Sequence, residues 1–104
     1  MFKLISLLAR KPDTTHEQFV QHWTGVHARL ATEISQLVRY EQNIFPDGPV
    51  GGVDGIAILW FSNKEELGAF RESAAGQRWI ADTGEFMDNE RSQNFMVRES
   101  VVVS

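Results

Sequence analysis

Two histidines and a tryptophan fall within six residues in His22-Trp23-Thr24-Gly25-Val26-His27, the densest chemistry in the chain. Imidazole titrates near neutral pH, which suits it to taking and giving protons. A large aromatic ring beside it can wall an apolar pocket. His27 is the leading candidate for a general acid or base, or for a donor that polarises a substrate carbonyl. His22 is a second candidate proton carrier. Tyr40 could donate its hydroxyl to a substrate oxygen. Asp54 could orient a histidine as a carboxylate–imidazole pair, although an Asp before Gly more simply ends a turn. His16 reads as exposed, and Asp82, Glu85 and Asp88 as solvated or capping residues.

These side chains depend on a helix for their placement. Thr15-x-x-Gln18 is a capping-box pattern just ahead of Phe19. It predicts a helix from His16 to Ile34, with Phe19, Trp23, Val26, Leu30 and Ile34 on one stripe. With Phe19 set at 0° and about 100° per residue, Trp23 falls at about 40° and His27 at about 80°. His27 therefore borders the apolar stripe, where a pocket between helix and sheet would open. His22 falls at about 300°, on the opposite flank. An i, i+5 pair on an α-helix points about 140° apart, whereas a helical zinc pair needs i, i+4, so no metal site is expected. One axial histidine would suffice for haem, which stays open as a distant reading.

Around this helix, Phe2–Ala9 reads as a central strand, apolar almost throughout and not as a signal peptide. Val38–Phe45 reads as a polar edge strand, on which Tyr40 and Asn43 have opposite parities. Residues 46–52 are turn formers without phosphate-loop spacing. Asp54–Phe61 is a second central strand, capped helix formers follow Ser62-Asn63, and a break is expected near Gly76. Gly84–Asn89 reads as a short helical turn and Asn94–Val103 as the last strand. The order β-α-β-β-α-β is the ferredoxin-like split pattern. Helices cover one face of such a sheet, yet the third strand is apolar at both parities: Ile56, Ile58 and Trp60 on one side, Ala57, Leu59 and Phe61 on the other. The uncovered face calls for a second copy of the chain, which would make a dimeric α+β barrel.

Composition narrows the partners. A chain of 104 residues reads as one domain over 1–104. Its net charge is −4, from 10 basic and 14 acidic residues, with no basic cluster beyond Arg10-Lys11, which argues against nucleic acid. No run reaches the roughly 20 apolar residues of a membrane span. There are no cysteines, so thiolate catalysis and cysteine-bound metal are excluded, and a cytoplasmic protein is expected.

Lys3-Leu4-Ile5-Ser6-Leu7-Leu8, Lys11-Pro12, Phe19-x-x-His22-Trp23-x-x-x-His27-Ala28, Arg39-Tyr40-x-x-Asn43, Asp54-Gly55-x-Ala57-x-Leu59-Trp60-Phe61 and Asp82-x-x-x-Phe86-x-Asp88 follow one another along nearly the whole chain. This succession resembles the EthD family of the dimeric α+β-barrel superfamily, with Trp23-x-x-x-His27 its most specific piece. The resemblance implies a ferredoxin-like fold, a homodimer and a pocket between sheet and helices. Fold does not fix the reaction. The residues point first to a small cofactor-free acid–base enzyme of isomerase, cyclase or dehydratase type. Its substrate would be an apolar, oxygen-bearing molecule such as a lactone, a phenolic or a polyketide-like ring. His27, His22 and Tyr40 would do the chemistry, and Trp23, Asn43, Trp60 and Phe86 would line the pocket. The alternatives are a cofactor-free monooxygenase of anthrone-like substrates and a non-catalytic small-ligand-binding or accessory protein.

Overall fold

The apolar run after Met1 becomes an inner strand, paired along one edge with Gly55–Phe61 and along the other with Gln93–Arg98, and buried on one face by helices. The computed structural model describes residues 1–104. Its elements are β1 (Phe2–Leu8), α1 (His16–His22), a π-helical segment (Trp23–His27), α2 (Ala28–Ala31), β2 (Arg39–Ile44), β3 (Gly55–Phe61), α3 (Lys64–Glu72), α4 (Ala74–Asp82), a 3-10 turn (Thr83–Glu85) and β4 (Gln93–Arg98). The four strands form one sheet in the order β2-β3-β1-β4, antiparallel throughout. The two most apolar strands are central and the two polar ones are edges, the ferredoxin-like arrangement.

Alternation divides the sheet into two unlike faces. Leu4 pairs with Leu59, and Ser6 with Ala57, and these four residues are buried beneath the helices. Tyr40 stands opposite Leu59 and Gln42 opposite Ala57, so both share that face. Ile5, Leu7, Ile56, Ile58 and Trp60 have the other parity and carry no helix. Ala57, Leu59 and Phe61 thus belong to the core, and any sheet-to-sheet contact must use the Ile56, Ile58 and Trp60 side.

Local sequence explains most boundaries. The Thr15–Gln18 capping box forms, each side chain bonded to the other residue's backbone N–H. Asn63 caps α3 by accepting from the Glu66 N–H at 2.9 Å. The expected break in the second helical region falls at Ser73, not at Gly76. Ser73 is extended (φ −70°, ψ 152°), and its hydroxyl accepts from the Gly76 N–H at 3.0 Å. Gly76 instead lies inside α4, where a Cβ would collide with the Phe70 carbonyl. The last strand stops at Arg98, well short of Val103. Arg98 pairs with Phe2, the first residue of β1, so no strand lies beyond it to pair with. Val101–Val103 are exposed as a result. No helix is long and apolar enough to cross a membrane.

The first helix departs most from expectation. It is helical from His16 to Ala31, not to Ile34, and its middle turn is π rather than α. The Ala28 N–H reaches back five residues to the Trp23 carbonyl. This wider turn resets the direction of every side chain after it.

Candidate active site

The π turn overturns the flank assignment made for His22 and His27. Residues five apart diverge on an α-helix, but a turn closed by i→i+5 bonds stacks them one above the other. Both imidazoles meet the same carboxylate, that of Asp82 at the end of α4. His27 Nδ1 lies 2.9 Å from Asp82 Oδ2. His22 Nε2 lies 3.1 Å from Oδ1 and 3.0 Å from Oδ2. A carboxylate only accepts, so each of these nitrogens carries the hydrogen. The side chains grade inward, with His22 27% exposed, Asp82 10% and His27 2%. Asp82 is therefore not the solvated residue that its place in the sequence suggests.

Aromatic rings hold the inner imidazole. Trp79 stacks on His27 at 4.4 Å between centroids, and Phe86 packs against it at 4.8 Å. Phe86 also stacks on His22 at 4.9 Å. Trp79 precedes Asp82 by three residues on α4, so the stacking ring and the accepting carboxylate come from one helix face. Burial pushes the His27 pKa down to about 4, outweighing the Asp82 bond and charge, which act to raise it. At neutral pH the ring is uncharged. Nδ1 donates to Asp82, leaving Nε2 with a free lone pair.

That ring lines a cavity of about 210 Å³ between the helices and the inner sheet face. Leu4, Leu8, Ala57, Trp23, Phe70 and Trp79 make its apolar walls. Trp23 packs closely on the sheet because residue 55 is glycine; a Cβ there would collide with the indole ring. The indole N–H groups of Trp23 and Trp79 are buried without a hydrogen-bond partner.

Tyr40 lines the same cavity. Its oxygen accepts from Gln42 Nε2 at 3.0 Å, which leaves the phenolic proton free to donate. The same Gln42 amide donates to the Trp23 carbonyl at 2.8 Å, fastening β2 to the π turn. Burial pushes the Tyr40 pKa up to about 12, against the opposing influence of Gln42 and the nearby Trp23 indole. Tyr40 is therefore a neutral donor at any physiological pH. Ser6 and Asn94 add a polar patch to the cavity wall, joined by a 2.6 Å bond from the Ser6 hydroxyl to the Asn94 amide oxygen.

The remaining candidates lie elsewhere. Asn43 and Trp60 have the outer parity, so strand alternation puts both on the face away from the cavity. The Asn43 amide donates to the Ile56 carbonyl at 3.0 Å, and the Trp60 indole donates to Glu99 at 2.8 Å. Phe86 lies behind the two imidazoles and outside the cavity wall. His16 is not exposed; its Nδ1 bonds Asp54 at 2.9 Å. Asp82 and Gln42 were missed as functional candidates: Asp82 stands in the Asp82-x-x-x-Phe86-x-Asp88 piece of the EthD-like succession, but no local pattern there points to a partner. Asp82 lies 55 positions from His27, a contact that only the tertiary fold makes. No three histidine or acidic side chains are arranged to hold a metal ion.

The EthD domain model matches residues 11–90, a span that carries His22, His27, Tyr40 and Asp82. The chain belongs to the EthD family. Its fold is similar to that of an ethyl tert-butyl ether d (EthD) family protein from Bacillus halodurans, at 20% identity and a TM-score of 0.80, over 96% of this chain and 99% of that one. A Bacteroides fragilis protein described as dimeric, ferredoxin-like and of unknown function aligns at 13% identity and TM-score 0.72, over 94% and 95%. A Nitrosomonas europaea chain provisionally named an antibiotic biosynthesis monooxygenase aligns at 15% and 0.66, over 95% and 98%. At such identities these likenesses show the fold alone. No curated protein matches this EthD chain.

Proposed function

We propose that this EthD-family chain is a small acid–base enzyme that needs no cofactor. Its substrate would be a neutral, apolar, oxygen-bearing molecule such as a lactone, a phenolic or a polyketide-like ring. One observation carries the reading. A neutral buried imidazole, held by a carboxylate, and a neutral phenol donor line one apolar cavity.

In this reading His27 Nε2 removes a proton from a carbon or hydroxyl of the substrate. Asp82 stabilises the imidazolium that results, as in other carboxylate-supported imidazoles. Tyr40 donates to the substrate oxygen on which negative charge gathers. Return of the proton from Nε2 to a different atom completes an isomerisation. Its return to a leaving hydroxyl completes a dehydration, with water as the product. Trp23 and Phe70 shape the apolar cavity that holds the substrate.

The single domain over 1–104 would work as a homodimer. The uncovered sheet face with Ile56, Ile58 and Trp60 supports this, as does the Bacteroides fragilis neighbour described as dimeric. The Nitrosomonas europaea neighbour supports a second reading, a cofactor-free monooxygenase. There the same proton abstraction would leave a carbanion for dioxygen to attack.

A screen of small lactones and phenolic ketones, run with and without oxygen, tests both readings. Product without oxygen uptake is expected for the first, and stoichiometric uptake for the second. A substrate turned over equally by wild type and His27→Gln would sink both.

A further inference from the structure

Away from the cavity, the loop after β1 and the loop before β3 enclose a second recess of about 250 Å³. Its walls are five charged or polar side chains, two prolines and a glycine, with no aliphatic or aromatic residue. Three of the side chains are cations: Arg10, Lys11 and Arg91. In a chain of net charge −4, this gathering runs against the overall balance.

Arg10 is built into place. Its backbone N–H donates to Asp54 Oδ2 at 2.9 Å and its Nη1 to Asp54 Oδ1 at 3.0 Å. Its Nε donates to the Thr14 carbonyl at 2.8 Å. Asp54 is only 1% exposed and accepts a further bond from His16. The guanidinium is thus held from two directions, through Nε and Nη1, with Nη2 unspent. Lys11 and Arg91 are unspent as well: of the six ion pairs in the chain, only Arg10–Asp54 involves a cation of the recess. A fixed guanidinium fork with free donors suits oxyanions, and its order is already established before a ligand arrives. Asp13, with φ +67°, is the one acid among the lining residues.

We propose that this recess binds a compact oxyanion, the phosphate or carboxylate group of a small molecule. Arg10 provides the fixed fork, and Lys11 and Arg91 close on the anion. Asp54 and His16 are positioning residues that aim Arg10. The site stands apart from the His27 cavity and does not depend on the acid–base reading.

The test is a titration of the ¹⁵N-labelled full chain with inorganic phosphate and, separately, with succinate, each at constant ionic strength set by chloride. Saturable shifts centred on residues 10–14, 49–52 and 91 are expected. Phosphate alone saturating would assign a tetrahedral ligand, and succinate alone a carboxylate. Lys11→Ala and Arg91→Ala should each weaken binding about tenfold, as loss of a charge-assisted bond implies. Asp13→Asn should strengthen it severalfold. Asparagine tolerates the left-handed backbone, so that variant keeps the loop. Shifts that never saturate, or affinities that none of the three substitutions moves, would overturn the proposal.

Discussion

Asp54 and Asp82 make the same bond and do different things with it. Each accepts from an imidazole Nδ1 at 2.9 Å. Asp54, just ahead of β3, also takes the Arg10 backbone and guanidinium, so it pins the end of β1 to the start of α1. Burial works to raise its pKa, but the bonds from His16 and Arg10 hold it below the usual carboxylate range. Asp82 ends α4, where the helix dipole disfavours a negative charge. Its histidine partners supply the donors that the helix end lacks. Of the two imidazoles on Asp82, that of His27 lines a cavity shared with a phenol and leaves its Nε2 unspent. A carboxylate–imidazole pair is therefore not by itself a sign of catalysis; what faces the other ring nitrogen decides.

Substitutions at the two sites should act on different properties of the protein. His27→Gln, whose amide can still donate to Asp82, should lower turnover on a substrate found by the screen by about 10²–10⁴. Asp82→Asn should lower turnover as well, by disturbing the tautomer. Asp54→Ala should act on folding, costing on the order of 3 kcal/mol, because it leaves the Arg10 fork and the His16 ring without their acceptor. Urea unfolding checks the figure. An Asp54→Ala chain as stable as wild type would erase the distinction between the two aspartates.

Two smaller effects depend on pH. An unfolded chain protonates His27 near its ordinary pKa of 6.5, whereas the folded chain resists until about pH 4. The unfolded state thus binds the extra proton, and stability falls as pH drops through that window. The loss amounts to on the order of 3 kcal/mol, complete near the lower pKa. His27→Gln should flatten this part of the stability profile measured by urea unfolding. Asp54 contributes in a lower range: its depressed pKa gives stability that is lost only as pH falls through the folded value. Finally, Tyr40 is the one tyrosine in the chain, so ultraviolet titration of phenolate reports it alone. A midpoint near 12 is expected. A midpoint at the ordinary 10 would mean that the hydroxyl is open to water and is no buried donor.

The sheet was legible because its signals are local. Apolar residues at both parities marked β1 and β3 as central, and Thr15-x-x-Gln18 located the helix start within one residue. Which parity faced the helices was not legible, since Ile56-Ala57-Ile58-Leu59 is apolar on both sides. Only the fold separates them, by setting Ala57 against Ser6 and Leu59 against Leu4. Angular arithmetic set His27 at the edge of an apolar stripe that included Val26; with the π turn, His27 is buried and Val26 is exposed. It misplaced His22, because it assumed a constant turn. Asp82 opens one piece of the EthD-like succession, yet nothing local set it apart from the other acidic residues as part of the site. Its role comes from where α4 ends relative to the first helix, a long-range contact outside the reach of periodicity.

The π turn fixes the site by a count of residues as much as by their kinds. A five-residue turn holds one residue more than the helix around it needs, and Gly25 lies in that turn with no atom within 4 Å of where a Cβ would sit. A chain lacking Gly25 could wind as unbroken α-helix and keep its hydrogen bonds. His22 and the former His27 would then stand four apart, again on one face of the helix, and the later residues would keep nearly the same direction toward the sheet. The opposite change is the disruptive one: with all five residues kept and the turn wound as α, His27 would swing by about 100° away from Asp82. The spare residue and the wider turn therefore belong together, and the site tolerates losing both but not the turn alone.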